Sequence, residues 1–180
     1  MENYVVLLRG INVGKSHQLK MSDLKKILEM LGFQSVKTVL RSGNAVMKGA
    51  PQDVNLIATK IEEKLKTIVD FPIPVIVITG ETFIQNLEKC SLFKAELEEQ
   101  KEILIVYKKS AFVTSELVNF NFPNEQWEMI KNCLVIQIYG NQLSSPLLKQ
   151  LIPYLKKEQA TIRNWRTVTK LSGLLIELKT

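Results

Sequence analysis

Histidine and cysteine are almost missing from this chain. One histidine, His17, and two cysteines, Cys90 and Cys133, occur in 180 residues. The cysteines are far apart, and no Cys-x-x-Cys pair or Cys/His cluster exists, so a zinc site of the usual kind lacks its ligands and no metal is expected. A serine-histidine-aspartate set has no support from one loop histidine, and no Gly-x-Ser-x-Gly elbow is present. No nucleophile stands out, no catalytic residue is assigned and no cofactor is implied. Two separated thiols fit a reducing compartment, and the expectation is a cytoplasmic protein. Long apolar runs are also missing. The run Tyr4–Leu8 ends at Arg9, too short for a signal-peptide core or a membrane span, so no membrane partner is expected. Proline- or glycine-rich linkers and low-complexity segments are absent.

What remains is ordinary for a globular chain. Hydrophobic residues make up 46% and charged residues 23%, which argues against disorder and against a disulfide scaffold. A chain of this length buries enough surface for a real core. The formal net charge is +6 and the isoelectric point about 9.3. The excess is spread evenly over both halves. It permits nucleic acid or an acidic ligand without demanding either, and the plainest reading is a lysine-rich solvated surface.

The periodicity predicts an alternating order. Tyr4–Leu8 reads as a buried strand. A helix capped by Ser22 follows, with Leu24, Ile27, Leu28 and Leu31 on one face and Gly32 ending it. Val36–Leu40 and Ala45–Lys48 read as strands joined through Arg41-Ser-Gly-Asn44. Asp53 caps a second helix with Leu56, Ile57, Ile61, Leu65 and Ile68 on its apolar face, and Pro74–Thr79 is a fourth strand. Strand–helix–strand–strand–helix–strand is the split order of a ferredoxin-like domain.

The second half repeats this outline less regularly. It has a short helix at Glu81–Lys89, a charged connector at Phe93–Lys101 and a strand at Ile103–Tyr107. A short helix at Ser115–Phe120 and a hairpin of Trp127–Ile130 with Leu134–Tyr139 through Lys131–Asn132 follow. Ser145-Pro146 opens a helix to about Leu155. The expected last strand is not visible, and Trp165–Leu178 reads instead as a closing helix. The fold expectation is α+β, with two ferredoxin-like half-domains at residues 1–90 and 91–180, mostly antiparallel sheets, and a C-terminal helix.

Gly10-Ile-Asn-Val-Gly14-Lys-Ser16 comes near a phosphate-binding P-loop. It falls one residue short between the glycines, and no helix is predicted to start at Lys15. The arginines are more informative. The 24 basic residues include only four arginines, Arg9, Arg41, Arg163 and Arg166. All lie in asparagine-containing segments: Arg9-Gly-Ile-Asn12, Arg41-Ser-Gly-Asn44 and Arg163-Asn-Trp-Arg166. Lysine cannot replace the planar fork of arginine in bidentate contacts to phosphate or carboxylate. Arg9, Arg41 and Arg163 are therefore candidate anion forks. Asn12 and Asn44 are candidate orienting groups, and Gly10, Gly14, Ser42 and Gly43 are loop positions where backbone amides approach a ligand. Asn164 and Trp165 sit at a helix start that also suits an anion, although Trp165 is in register with Val168 and Leu171 as a core residue would be. His17 reads as a solvated loop residue, and Cys90 and Cys133 as inert packing residues.

Several of these segments carry a resemblance. Tyr4-Val-Val-Leu-Leu-Arg-Gly-Ile-Asn-Val-Gly14, Met21, Leu31-Gly-Phe33, Leu40-Arg-Ser-Gly-Asn-Ala-Val46 and Arg163-Asn-Trp-Arg-Thr-Val-Thr-Lys-Leu171 resemble the bacterial domain-of-unknown-function family DUF1697 over almost the whole chain. The loop Lys15–Lys20 departs from the family pattern in lacking a proline before Met21. The resemblance implies a duplicated α/β fold with ferredoxin-like halves and brings no activity, cofactor or catalytic residue with it.

The functional expectation is binding of a small phosphorylated or anionic ligand. Its pocket would lie between the loop after the first strand, the hairpin at Ser42–Asn44 and the start of the last helix. The alternatives are a nucleic-acid-binding module, for which no RNP-like aromatic pattern is found, and a structural or interaction protein whose arginines are buried on carbonyls or carboxylates.

Overall fold

A computed structural model describes residues 1–89, 101–113, 117, 122, 125–130, 133–140 and 142–179. The connector at 93–100, most of the proposed helix at 115–120, the turn at 131–132 and Cys90 lie outside them. The chain divides into two compact units, Met1–Ile84 with Thr169–Thr180, and Gln85–Val168.

The first unit contains β1 (Glu2–Leu8), α1 (Met21–Met30), β2 (Gln34–Val39), β3 (Asn44–Gly49), α2 (Val54–Leu65) and β4 (Val75–Thr79). Its sheet has the order β2-β3-β1-β4, and every neighbouring pair is antiparallel. This is the ferredoxin-like arrangement expected from the order of elements. Tyr4 to Leu8 are buried on both faces of the sheet, which is why β1 is a continuous apolar run rather than an alternating one. The core beneath α1 and α2 gathers Val6, Leu24, Leu28, Met47, Ile57 and Ile61.

Local chemistry explains most boundaries. The Asp53 carboxylate accepts the amides of Asn55 and Leu56 at the start of α2, as an N-cap should. At the end of α1, Gly32 takes φ +89° and the Phe33 amide reaches back to the Leu28 carbonyl, a Schellman closure. Ser22 does not cap α1. The helix begins two residues earlier, at Met21, with Lys20 at the cap position and no side-chain cap. Ile68 also departs from expectation, because α2 ends at Leu65 and Ile68 lies beyond it, half exposed.

The second unit contains β5 (Lys101–Tyr107), β6 (Gln126–Ile130), β7 (Cys133–Tyr139), α4 (Pro146–Lys157) and β8 (Thr161–Asn164). The final strand that periodicity did not reveal is present. β8 pairs antiparallel with β5, placing Arg163 opposite Ile105. It was hidden because four residues, Thr-Ile-Arg-Asn, give too short a pattern and three of them are polar. The sheet order β6-β7-β5-β8 repeats the first unit strand for strand. The Ser145 hydroxyl caps α4 at the Leu148 amide, and the Glu125 carboxylate takes the Leu147 amide at 2.8 Å.

In both repeats the last strand runs directly into a helix, β4 into α3 (Gly80–Lys89) and β8 into α5 (Trp165–Lys179). From Thr169 onward α5 belongs to the first unit, where Glu177 holds Lys37 of β2 at 2.7 Å. Among the described residues no helix is long and apolar enough to cross a membrane.

Two polar groups in the second unit yield stability predictions. Asn86 of α3 is buried, and among the described residues neither its amide nitrogen nor its oxygen has a hydrogen-bond partner. A buried unsatisfied polar group costs about 1–3 kcal/mol. Asn86→Leu is therefore expected to raise the denaturation midpoint, measured by chemical unfolding. Lys108 is buried and donates to Glu158 at 2.8 Å and to Tyr154 at 3.2 Å, over the rings of Phe112 and Tyr154. Burial opposes its charge, but the hydrogen bonds and charge attraction of Glu158 and Tyr154 outweigh this and hold its pKa above the ordinary lysine value. The same hydrogen bond, with the Lys108 charge, lowers that of Glu158 below 4.5. Because the carboxylate is the depressed partner, its contribution is complete above the ordinary glutamate range and is lost as pH falls through the lowered value. Lys108→Met should destabilise the protein at neutral pH, and unfolding curves should show that deficit shrinking as the solution is acidified below the ordinary glutamate range.

Candidate functional site

The sheet order decides where the loops meet. β1 is the strand shared by β3 and β4, with Leu7 opposite Asn44 and Leu8 opposite Val75. The end of β1, the β2–β3 turn and the entry to β4 therefore lie side by side. The Leu8 amide donates to the Gly43 carbonyl at 2.8 Å and the Arg9 amide to the Pro74 carbonyl at 2.9 Å. The first two Arg–Asn segments are thus brought together by strand pairing.

Asn12 fastens them. It sits at φ +54°, a backbone region that asparagine tolerates better than most residues. Its amide nitrogen donates to the carbonyls of Leu19 at 2.9 Å and Arg41 at 2.6 Å. Its oxygen accepts the Leu19 amide at 2.9 Å. The side chain imitates a peptide group and closes the loop 12–19 against the hairpin. Asn44 acts similarly from a fully buried position, donating to the Val39 carbonyl and the Ser42 hydroxyl at 2.9 Å. Gly43, at φ +75°, packs so closely that a Cβ there would lie 2.7 Å from Ile11 and Leu8 side-chain atoms. Arg9 is half-buried, whereas Gly10, Gly14, Arg41 and Ser42 are exposed.

A cavity of about 770 Å³ opens beside this junction, within the size range of small-molecule sites. Its floor and walls are aliphatic: Leu19, Met21, Ile27, Met30, Ile68 and Val69. Three cations, Lys20, Lys26 and Arg41, line it against one carboxylate, Asp23, with Asn12 and Gln18 as neutral polar groups. The Arg41 guanidinium approaches the Gln18 side-chain oxygen at 3.4 Å. The amino-terminal turn of α1 forms part of the wall, and its dipole adds to the positive field. A second, more open hollow of about 910 Å³ adjoins the first through Gln18, Ile68 and Val69 and includes His17, Lys66, Asp70 and Phe71. His17, exposed and at φ +52°, stands edge-on to Phe71 with ring centroids 4.5 Å apart. Among the described residues no group of His, Cys, Asp and Glu is placed to hold a metal.

The third Arg–Asn segment belongs to the second unit and has a different character. Arg163 is buried and donates to the Thr161 hydroxyl and, at 2.8 Å, to the Ile162 carbonyl. Burial pushes its pKa down to about 10, against an opposing pull from Tyr107, so it stays charged at neutral pH. Burial pushes the Tyr107 phenol well up, aided by Cys133 and opposed by Arg163. Asn164 caps α5, its oxygen accepting the Thr167 amide at 3.0 Å and the Thr167 hydroxyl at 2.8 Å. Trp165, the first residue of α5, is half-buried.

Lys20, Lys26, Met30 and Ile68 were not singled out as site residues from the sequence, where Ile68 was read as part of a helix face. Lys20, Asp23, Lys26 and Met30 recur at helical spacing beside the buried stripe of α1, a pattern that a solvated helix face shares. Met30 and Ile68 are 70% and 49% exposed, and exposed large apolar groups at a concavity are a signal only once the fold is known.

A family model described as a protein of unknown function, DUF1697, matches residues 1–134. The chain also resembles the solved structure of a conserved bacterial protein from Streptococcus pneumoniae, at 21% identity and a TM-score of 0.70, over 97% of this chain and 98% of the other. That likeness concerns the fold. No curated protein matches the chain.

The contacts at Gly43 generate a prediction. Gly43→Ala forces both a left-handed backbone and a clash with Leu8 and Ile11, each costing on the order of 1–3 kcal/mol. Equilibrium unfolding should show a loss of at least about 2 kcal/mol, with the exchange of loop amides near Asn12 accelerated.

Proposed function

Because the chain belongs to the DUF1697 family of proteins of unknown function, we propose from its own geometry that it binds a small anionic ligand in the hollow between α1, the loop 12–19 and the β2–β3 turn. One observation carries this reading: Lys20, Lys26 and Arg41, from two separate elements, surround a cavity with an aliphatic floor. Arg41 is the fork, the lysines supply further charge, and the floor takes the uncharged part of the ligand. Asn12 and Gly43 are positioning residues here, since their contacts hold the loop and turn in place. Arg9, Ser42 and Asn44 hold the same junction through the Arg9 amide on the Pro74 carbonyl and the Asn44 side chain on the Val39 carbonyl and Ser42 hydroxyl, while Gly10 and Gly14 are exposed in the loop after β1. A cytoplasmic setting fits a protein with a buried free thiol at Cys133.

The structural alternative is supported at the third segment, where the Arg163 fork is buried on a hydroxyl and a carbonyl. The nucleic-acid alternative is weaker at the hollow itself, whose lining holds no aromatic ring on which a base could stack.

A panel of phosphate, pyrophosphate, nucleotides, sugar phosphates and carboxylates, read by thermal shift and titration calorimetry, tests the proposal. At least one anion should stabilise the protein, with affinity falling as salt rises. Arg41→Ala should weaken it about tenfold, the scale of one charge-assisted hydrogen bond, and Arg41→Lys by less. No stabilisation by any anion, or binding indifferent to Arg41, would overturn it.

A further inference from the structure

The two hollows of the first unit adjoin, with Gln18, Ile68 and Val69 lining both. Their ends differ in charge. At one end Lys20, Lys26 and Arg41 outnumber Asp23. At the other, Lys66 is offset by Asp70, and the edge-on pair of His17 and Phe71 forms the wall. Between the ends the surface is aliphatic, with Ile68 half exposed and Met30 more so. Such a trough has one charged end and an apolar length.

We infer that the occupant is an amphipathic oxyanion: an aliphatic chain of medium length with a carboxylate or phosphate head. The head lies among Lys20, Lys26 and Arg41, and the chain runs over Ile68 and Val69 towards Phe71. This rests on the anion-binding reading above and adds the class of ligand. Flat aromatic ligands such as nucleobases gain most from ring stacking, and the stretch over Ile68 and Val69 next to the charged end holds no ring among the described residues. Methylene groups gain from aliphatic walls in proportion to the area removed from water, and methionine side chains such as Met21 and Met30 adapt to a flexible chain. The exposed apolar groups on the rim are what such a chain would cover.

The test is a titration of the whole protein with butanoate, hexanoate, octanoate, decanoate and decyl phosphate, with decylamine as the opposite-charge control. Affinity should rise by up to about fourfold per methylene until the trough is filled, and decylamine should bind more weakly than decanoate. Either head group binding in this way supports the inference, and the tighter of the two identifies the head. Arg41→Ala should weaken all chain lengths by a similar factor. Ile68→Asp, at an exposed position, should flatten the chain-length dependence. Intermolecular NMR contacts should join the terminal methyl of decanoate to the Phe71 or His17 ring. If short or nucleotide anions bind through Arg41 but lengthening the chain brings no gain, the ligand class is wrong while anion binding stands. If decanoate binds with a chain-length gain that neither Arg41→Ala nor Ile68→Asp alters, adsorption outside the trough explains it and the inference is overturned. If no anion binds at all, both readings fall.

Discussion

The central strand of the first sheet is the constraint on which the site depends. β1 hydrogen-bonds to β3 along one edge and β4 along the other, and its apolar residues are buried on both faces. A strand held in this way has no freedom of register, because a one-residue slip would move every side chain to the opposite face. Its end is therefore fixed beside the β2–β3 turn and the entry to β4. Segments more than thirty residues apart become neighbours there, and the loop leaving β1 has to fold back over the gap between them.

Asparagine completes what strand pairing begins. Asn12 uses its amide as a substitute peptide group for the loop main-chain atoms of Leu19 and Arg41, and Asn44 takes the Val39 carbonyl where the β2–β3 ladder ends. Buried main-chain polar groups left unmatched are costly, so these two residues help to stabilise the junction. The same economy appears in the second unit at Asn164, which caps α5. The recurrence of Arg-x-x-Asn is thus partly a recurrence of loop closure. Its first two copies meet at one junction in the first unit. In the third, Arg163 is turned inward onto its own strand.

This division shows how far residue patterns carry. The strand and helix order of the first unit was legible because β1, β4 and the amphipathic helices leave strong periodic signals, reinforced by Asp53 and Gly32 at helix ends. β8 was not legible, since a four-residue strand with three polar members is defined by its partner β5 rather than by its own composition. Arg41 and Asn12 were legible as site candidates from their chemistry. Lys20, Lys26 and Ile68 were not, because a lysine on a helix face and an isoleucine after a helix end have many ordinary explanations.

The sequence by itself determined the fold class, the strand order of the first unit and the choice of arginine over lysine at a few loop positions, all of which follow from local periodicity and side-chain chemistry. Tertiary structure alone decided that Arg41 lines a hollow while Arg163 is buried, and it made that hollow from α1, the β2–β3 turn and the segment after α2. The physical reason is that a cavity is a relation between surfaces distant along the chain. Its charge and shape come from antiparallel pairing and helix packing, and no single segment contains them.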